Sequence, residues 1–213
     1  MKLYCISGLG IDQTPFEFLE IKSDYELVYI NWIEAKKKES LPEYALRLAE
    51  VIDDSEPFSL LGLSFGGMIS VEIAKVKKPR HLILLSSISG PGQMPRLYKI
   101  GKVLKVYSWF PFGLIKNNVK LTNKLFGIKG KAHQRVMHNV MEKTDSEFLR
   151  WAVRAILTWK NKEEVPHKSI RGTKDKILPL LKSNVDYVIE DGSHFMVVVK
   201  ADQISRIINE ILD

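Results

Sequence analysis

The sequence has almost no cysteine, since Cys5 is its single example in 213 residues. An internal disulfide is therefore excluded, and the Cys and His spacing of a zinc site is absent. No run of about 18 apolar residues occurs, which excludes a membrane-spanning helix. The apolar run after Met1 meets Gly8 too early for a signal peptide. We therefore expect a soluble, cytoplasmic protein that folds without a disulfide or a metal.

The sequence has no Asp or Glu between Gly92 and Lys131, and this stretch lies within a longer basic segment. Residues 92–163 carry a net charge of +11, whereas the rest of the chain carries −4. The hydrophobic content of 45% indicates a globular chain and excludes a disordered one. Because one segment holds the whole basic excess, the charge pattern indicates an inserted module with its own surface character.

Short apolar runs alternate with helical patterns in the first ninety residues. Runs rich in aliphatic and β-branched residues predict strands, and apolar residues that recur every three or four positions predict helices. The predicted strands are 3–7, 25–32, 58–63 and 81–86, and the predicted helices are 41–53 and 66–75. Since these strands are apolar on both faces, they predict a parallel sheet covered by helices.

The alternation stops at Gly92 and resumes near residue 164. Between these points the pattern is helical, and beyond them two further strands precede a closing helix. These strands are predicted at 168–171 and 185–190, and the helix at 201–212. The sequence thus predicts an α/β body made of residues 1–91 and 164–213, interrupted by a helical, basic cap insertion at 92–163.

The sharpest local motif is a serine flanked by glycines, in the stretch 62–67, which reads GLSFGG. It lies between a predicted strand and a predicted helix, where small neighbours allow a sharp turn that exposes Ser64. The free N–H groups at the start of the helix can stabilise an oxyanion there. A glycine-rich turn with an inert serine is the alternative.

A serine nucleophile needs a base and an acid that orients the base. Asp175 and His194 each follow a predicted strand directly. Because ligands of open α/β sheets bind at the carboxyl edge, we expect these side chains to converge with Ser64. The remaining histidines lack a positioned partner in the sequence and are predicted to be structural or exposed. They are His81, His133, His138 and His167.

These motifs resemble those of the α/β-hydrolase superfamily, whose triad runs in the order serine, acid, histidine. The resemblance covers the chain outside the insertion, which matches the family's helical cap in position only. It implies a mostly parallel sheet of about six strands flanked by helices, because the chain starts at the strand that is usually third. The interval 177–183 departs from the family pattern, since it leaves little room for a crossover helix.

The resemblance also implies roles for individual residues. Ser64 would be the nucleophile, Asp175 the acid and His194 the base. The backbone N–H groups of Leu9 and Phe65 would form the oxyanion hole, although Ser7 stands where the family usually has a histidine. No cofactor and no metal are implied.

The function implied is that of a serine hydrolase that cleaves an ester, thioester or similar acyl bond of a small substrate. Acyl transfer or cleavage of a carbon–carbon bond would use the same residues, and the fold alone does not choose among them. The alternative from another class is a noncatalytic module that binds a ligand or an anionic surface. An intact serine, acid and histidine favour the enzyme, because a binder does not need all three.

The basic insertion allows two interpretations. The apolar positions on one predicted helical face are Leu97, Ile100, Leu104 and Tyr107, and the lysines beside them are Lys99, Lys102 and Lys105. In the simpler interpretation the apolar face packs on the body and the lysines are solvated. In the other, the charge attracts an anionic substrate or gives peripheral contact with an anionic membrane. Nucleic acid is not expected as the main partner, because the charge is interleaved with an apolar periodicity. An aromatic cluster at 109–112 follows.

Overall fold

The computed structural model describes residues 1–109, 118–143, 145–180 and 185–213. Its strands are β1 (Lys2–Ile6), β2 (Glu26–Ile30), β3 (Phe58–Leu63), β4 (Leu82–Leu85), β5 (Lys168–Gly172) and β6 (Tyr187–Ile189). They form one sheet in the order β2-β1-β3-β4-β5-β6, in which all neighbouring strands are parallel. The predicted parallel sheet of about six strands is confirmed.

Helices cover the sheet and connect β2 to β3, β3 to β4 and β4 to β5. They are α1 (Leu41–Leu48), α2 (Phe65–Lys77), α3 (Arg96–Val103), α4 (Val106–Trp109), α5 (Val119–Phe126), α6 (Lys131–Lys143), α7 (Ser146–Thr158), α8 (Met196–Val199) and α9 (Ala201–Leu212). Helix α1 begins as predicted, because Ser40 and Glu43 form a reciprocal capping box. It ends earlier than predicted, and a 3₁₀ turn at Ala49–Val51 replaces its last turn.

The core has two layers, one on each face of the sheet. Strand β1 shows the cause, because its successive side chains point to opposite faces. Tyr4 and Ile6 pack in the layer that contains α1, α2 and α7, whereas Leu3 and Cys5 pack in the layer that contains α8 and α9. All four side chains are buried. A strand that is buried on both faces must be apolar throughout, which is the pattern seen in the sequence.

The long elements that the structure describes between β4 and β5 are all helical. Its last helix, α7, packs into the body. Trp151 is buried beside Tyr44, with 4.4 Å between ring centroids, and Ala152 and Ala155 are buried in the same layer. The aromatic residues 110–112 lie outside the described ranges.

The face of α3 that meets the body is not the one predicted. Leu97, Ile100 and Leu104 are exposed, so the expectation that they pack on the body was wrong. Tyr98 points inward instead, and its hydroxyl donates to the carbonyl of Ile177 at 2.7 Å. Periodicity identifies side chains that share a helical face, but it does not show which face meets the rest of the protein.

The interval that follows Asp175 contains no helix between residues 176 and 180, and residues 181–184 lie outside the described ranges. Within the described parts of the chain, no helix combines the length and the apolar character needed to cross a bilayer.

Candidate active site

Ser64 occupies a sharp turn between β3 and α2. Its φ of 53° and ψ of −116° are a strained combination for a residue with a side chain. The turn is held by neighbouring groups: the Ser64 N–H donates to the carbonyl of Leu85 at 2.9 Å, and the Ser87 hydroxyl donates to the Ser64 carbonyl at 2.6 Å. The serine is therefore fixed at the carboxyl edge of the sheet.

Two glycines allow this turn for steric reasons. A Cβ at Gly66 would overlap the carbonyl oxygens of Ile6 and Ser7, and a Cβ at Gly62 would overlap the backbone of Gly67. Only glycine at position 66 therefore lets α2 start this close to the end of β1. Only glycine at position 62 lets the end of β3 lie this close to α2. Gly66 is thus explained by the close approach of α2 to the end of β1, and Gly62 by the close approach of β3 to α2.

The structure brings Ser64, Asp175 and His194 together. The Oγ of Ser64 lies 2.8 Å from Nε2 of His194, and Nδ1 of His194 lies 2.7 Å from Oδ2 of Asp175. Since an ionised carboxylate only accepts hydrogen bonds, we assign the ring proton to Nδ1. Nε2 is then an acceptor that faces the serine hydroxyl, which is the arrangement a general base requires.

Backbone donors fix the carboxylate of Asp175. Its Oδ1 accepts hydrogen bonds from the N–H groups of Ile177 at 2.9 Å and Leu178 at 2.8 Å, which leaves Oδ2 for the imidazole. Asp175 and His194 are both buried. The loop that follows β5 therefore holds the carboxylate of Asp175 in one orientation, and the described residues 176–180 after it are not helical.

Arg171 supports this loop and was not singled out in the sequence. Its guanidinium is buried, and Nη2 donates to the carbonyls of Leu178 at 2.9 Å and Pro179 at 3.2 Å. Burial lowers the pKa of Arg171, and the charge of Asp175 acts in the opposite direction. The sequence signal that could have identified Arg171 is its place as a basic residue within a short predicted strand just before Asp175.

The segment between β4 and β5 contacts the loop of His194 directly. The N–H of Phe195 donates to the carbonyl of Phe126 at 3.3 Å, at the end of α5. The next residue, Gly127, has a φ of 69°, and a Cβ there would overlap the side chain of Ser193. Glycine therefore permits both the left-handed turn and the close approach. The sequence carried no signal for this contact.

Phe65, one of the two predicted oxyanion donors, directly follows Ser64, and the loop that holds the other, Leu9, comes close to Ser64 at Gly8. Phe65 is the first residue of α2, so its N–H has no carbonyl partner within the helix. Leu9 follows Gly8, where a Cβ would lie 3.8 Å from the Cβ of Ser64. Among the described backbone hydrogen bonds outside helices and strands, none has the N–H of Leu9 or Phe65 as its donor.

A cavity of about 240 Å³ lies beside the loop that follows β1. Its lining is partly polar and partly aromatic, and it includes Ser7, Asp12, Tyr29, Asn31 and Trp32. The Ser7 hydroxyl is buried and has no hydrogen-bond partner among the described residues. The described side chains contain no group of three or more His, Cys, Asp or Glu that could hold a metal ion.

No family model matches the chain, and no curated protein sequence matches it. Solved structures do resemble it. An esterase from Exiguobacterium antarcticum has a TM-score of 0.78 at 15% identity, with coverage of 100% of this chain and 92% of the other. A thermophilic esterase from Thermogutta terrifontis has a TM-score of 0.71 at 16% identity, with 100% and 89% coverage. MenH from S. aureus has a TM-score of 0.72 at 16% identity, with 99% and 92% coverage.

These similarities cover nearly the whole chain, but the sequence identities are low. They establish the fold, whereas activity and substrate have to be argued from the site. The chain has the α/β-hydrolase fold, as its motifs predicted.

Proposed function

We propose that the protein is a serine hydrolase that cleaves an ester, thioester or similar acyl bond of a small substrate. The hydrogen-bonded chain of side chains carries this proposal. It runs from Ser64 to His194 at 2.8 Å and from His194 to Asp175 at 2.7 Å. A hydroxyl that faces a neutral imidazole nitrogen, with a carboxylate behind the ring, can be deprotonated as it attacks.

The reaction follows from this arrangement. The Oγ of Ser64 attacks the acyl carbon while its proton passes to Nε2 of His194, and Asp175 stabilises the imidazolium that forms. The N–H groups of Leu9 and Phe65 stabilise the oxyanion. His194 then gives the proton to the leaving alcohol or thiol as its bond to the acyl carbon breaks. A water deprotonated by His194 releases the acid from Ser64.

One observation favours an ester as the first substrate to test. Two of the similar structures are named esterases. The cavity of about 240 Å³ beside the loop that follows β1 is lined by none of Ser64, Asp175 and His194, so its volume does not define the size of the substrate.

A noncatalytic binding module is the competing proposal. Such a module would need no hydrogen bond from Ser64 to a base, and none from that base to a buried carboxylate. The cytoplasmic location inferred from the sequence remains a proposal as well.

Labelling with a fluorophosphonate separates an enzyme from a binder. We expect one label per chain, located on Ser64 by mass spectrometry, together with hydrolysis of p-nitrophenyl acetate. Ser64→Ala should lose both signals. Ser59→Ala is the matched control, because the Ser59 hydroxyl is buried in β3 without a partner among the described residues. An unlabelled but folded wild-type protein would overturn the proposal.

A further inference from the structure

Helices α3 and α4 present large apolar side chains to solvent. Leu97 is 70% exposed, Ile100 54%, Val103 79%, Leu104 57% and Trp109 62%. We call these five side chains the α3–α4 surface. The first four recur at positions i, i+3, i+6 and i+7 of one helical stretch, so they form a continuous stripe. Apolar side chains grouped in this way on a surface mark a binding site.

Cationic side chains border the same surface. Lys99, Lys102 and Lys105 are exposed and alternate with its apolar members. The sequence has no carboxylate between residues 92 and 131 that could neutralise them. Docking of a second copy of the chain on this surface would bring lysines against lysines. A small soluble anion would neutralise the lysines but would leave the apolar side chains in water.

The polar groups of this surface are largely paired within the protein. The Leu104 N–H donates to the carbonyl of Ile100 at 2.9 Å, and the Ser108 N–H donates to that of Lys105 at 2.9 Å. The indole N–H of Trp109 donates to the carbonyl of Leu104 at 3.0 Å although the ring itself is exposed. Groups that are already paired can leave water without a large desolvation penalty, as contact with a lipid surface requires.

We propose that the α3–α4 surface docks on an anionic lipid bilayer. The apolar side chains would lie at the boundary between headgroups and acyl chains, and the lysines would contact anionic headgroups. On the opposite side, the Tyr98 hydroxyl donates to the carbonyl of Ile177, and Arg150 Nη1 donates to the carbonyl of Tyr107 at 3.1 Å. The surface is thus tied to the body near the loop of Asp175, so docking would hold that loop close to the membrane.

Co-sedimentation of the full chain with lipid vesicles tests this proposal. We expect binding to vesicles that contain phosphatidylserine, much weaker binding to pure phosphatidylcholine, and release as salt rises. Each lysine near an anionic surface contributes about fivefold in affinity, so Lys99→Gln with Lys102→Gln should weaken binding by about 25-fold. The matched control is Lys78→Gln with Arg80→Gln, which removes the same charge from the opposite edge of the sheet, before β4.

Two further measurements address the apolar side chains. Leu97→Ser with Ile100→Ser should weaken vesicle binding at least tenfold while circular dichroism and melting temperature stay unchanged, because both side chains are exposed. Brominated lipids should quench part of the tryptophan fluorescence, and Trp109→Phe should lose that part. Quenching that persists unchanged in this variant would contradict insertion of Trp109.

Other outcomes would overturn the proposal. Equal binding to both vesicle types, or an equal loss in the control pair, would show that the lysines of α3 do not select anionic lipid. A dimer that dissociates in the Leu97→Ser, Ile100→Ser variant would show that a second copy covers the surface. Ser64→Ala should bind vesicles like the wild type, so this test is independent of the proposed hydrolase activity.

Discussion

The aromatic ring of Phe126 meets the imidazole of His194 edge-on, with 5.5 Å between ring centroids and 69° between ring planes. Phe126 ends α5, so the segment between β4 and β5 contacts the proposed base directly. Asp175 holds the imidazole through Nδ1, and Phe126 packs against the ring. The orientation of His194 therefore depends on the helices between β4 and β5 as well as on the sheet.

Shortening this aromatic side chain should lower the reaction rate. In Phe126→Ala the imidazole gains freedom, and we expect kcat to fall about tenfold to a hundredfold, because small misplacements of catalytic groups have effects of that size. KM should change little, and Phe126→Leu should recover part of kcat. Steady-state kinetics on a neutral ester would measure the two constants. A rise in KM with kcat unchanged would indicate that Phe126 binds substrate instead.

Replacing Ser64 should separate stability from activity. Ser64→Ala and Ser64→Gly should both lack esterase activity, and both should fold. Glycine normally destabilises a protein by about 1 kcal/mol relative to alanine in a regular element. The φ of 53° at Ser64 reverses this expectation, because strain of about 1–3 kcal/mol is relieved by glycine. Denaturant unfolding should find Ser64→Gly at least as stable as Ser64→Ala, and a deficit of about 1 kcal/mol would argue against strain.

The base and the acid should each be needed for the reaction. His194→Ala should lower kcat on the neutral ester about as far as Ser64→Ala does, because a nucleophile and its base act as a unit. His167→Ala should keep the wild-type kcat, since Nδ1 of His167 lies 2.8 Å from the carbonyl of Val165. Asp175→Asn should remain folded and lose roughly 10⁴-fold in kcat. A kcat within a few-fold of the wild type in His194→Ala would rule out its role.

Removing the buried guanidinium should loosen the acid loop. Arg171→Met leaves the carbonyls of Leu178 and Pro179 without their donor, and an unpaired buried polar group costs about 1–3 kcal/mol. We expect a lower free energy of unfolding and a lower kcat, with partial recovery in Arg171→Lys. Equal kcat in the wild type, Arg171→Met and Arg171→Lys would show that the loop keeps Asp175 in place without this contact.

The charge of the inserted segment should be visible in the salt dependence. If its lysines attract substrate, kcat/KM for an anionic ester should fall as salt rises, whereas a neutral ester of equal size should respond little. Lys99→Glu with Lys102→Glu should flatten the difference without changing kcat for the neutral ester. Equal salt responses of both esters in the wild type would contradict an anionic substrate.

The sequence by itself determined the order of the strands and helices along the chain and the edge at which Ser64, Asp175 and His194 meet. Both can be inferred from short stretches of sequence. Apolar runs of strand length alternate with helical periodicities, and parallel strands present their carboxyl ends at one edge. The glycines around Ser64 could be identified for the same reason, because a sharp turn limits the residue types that fit.

Only the tertiary structure decided which side of each element meets which neighbour. Tyr98 rather than Leu97 faces the body, and Phe126 and Arg171 reach the loops of His194 and Asp175. Nothing in the local pattern marks the contacts of Tyr98 and Phe126, because their partners are far apart in the chain. A helix with apolar residues on several sides can dock in more than one way, and the packing of the whole core selects the orientation.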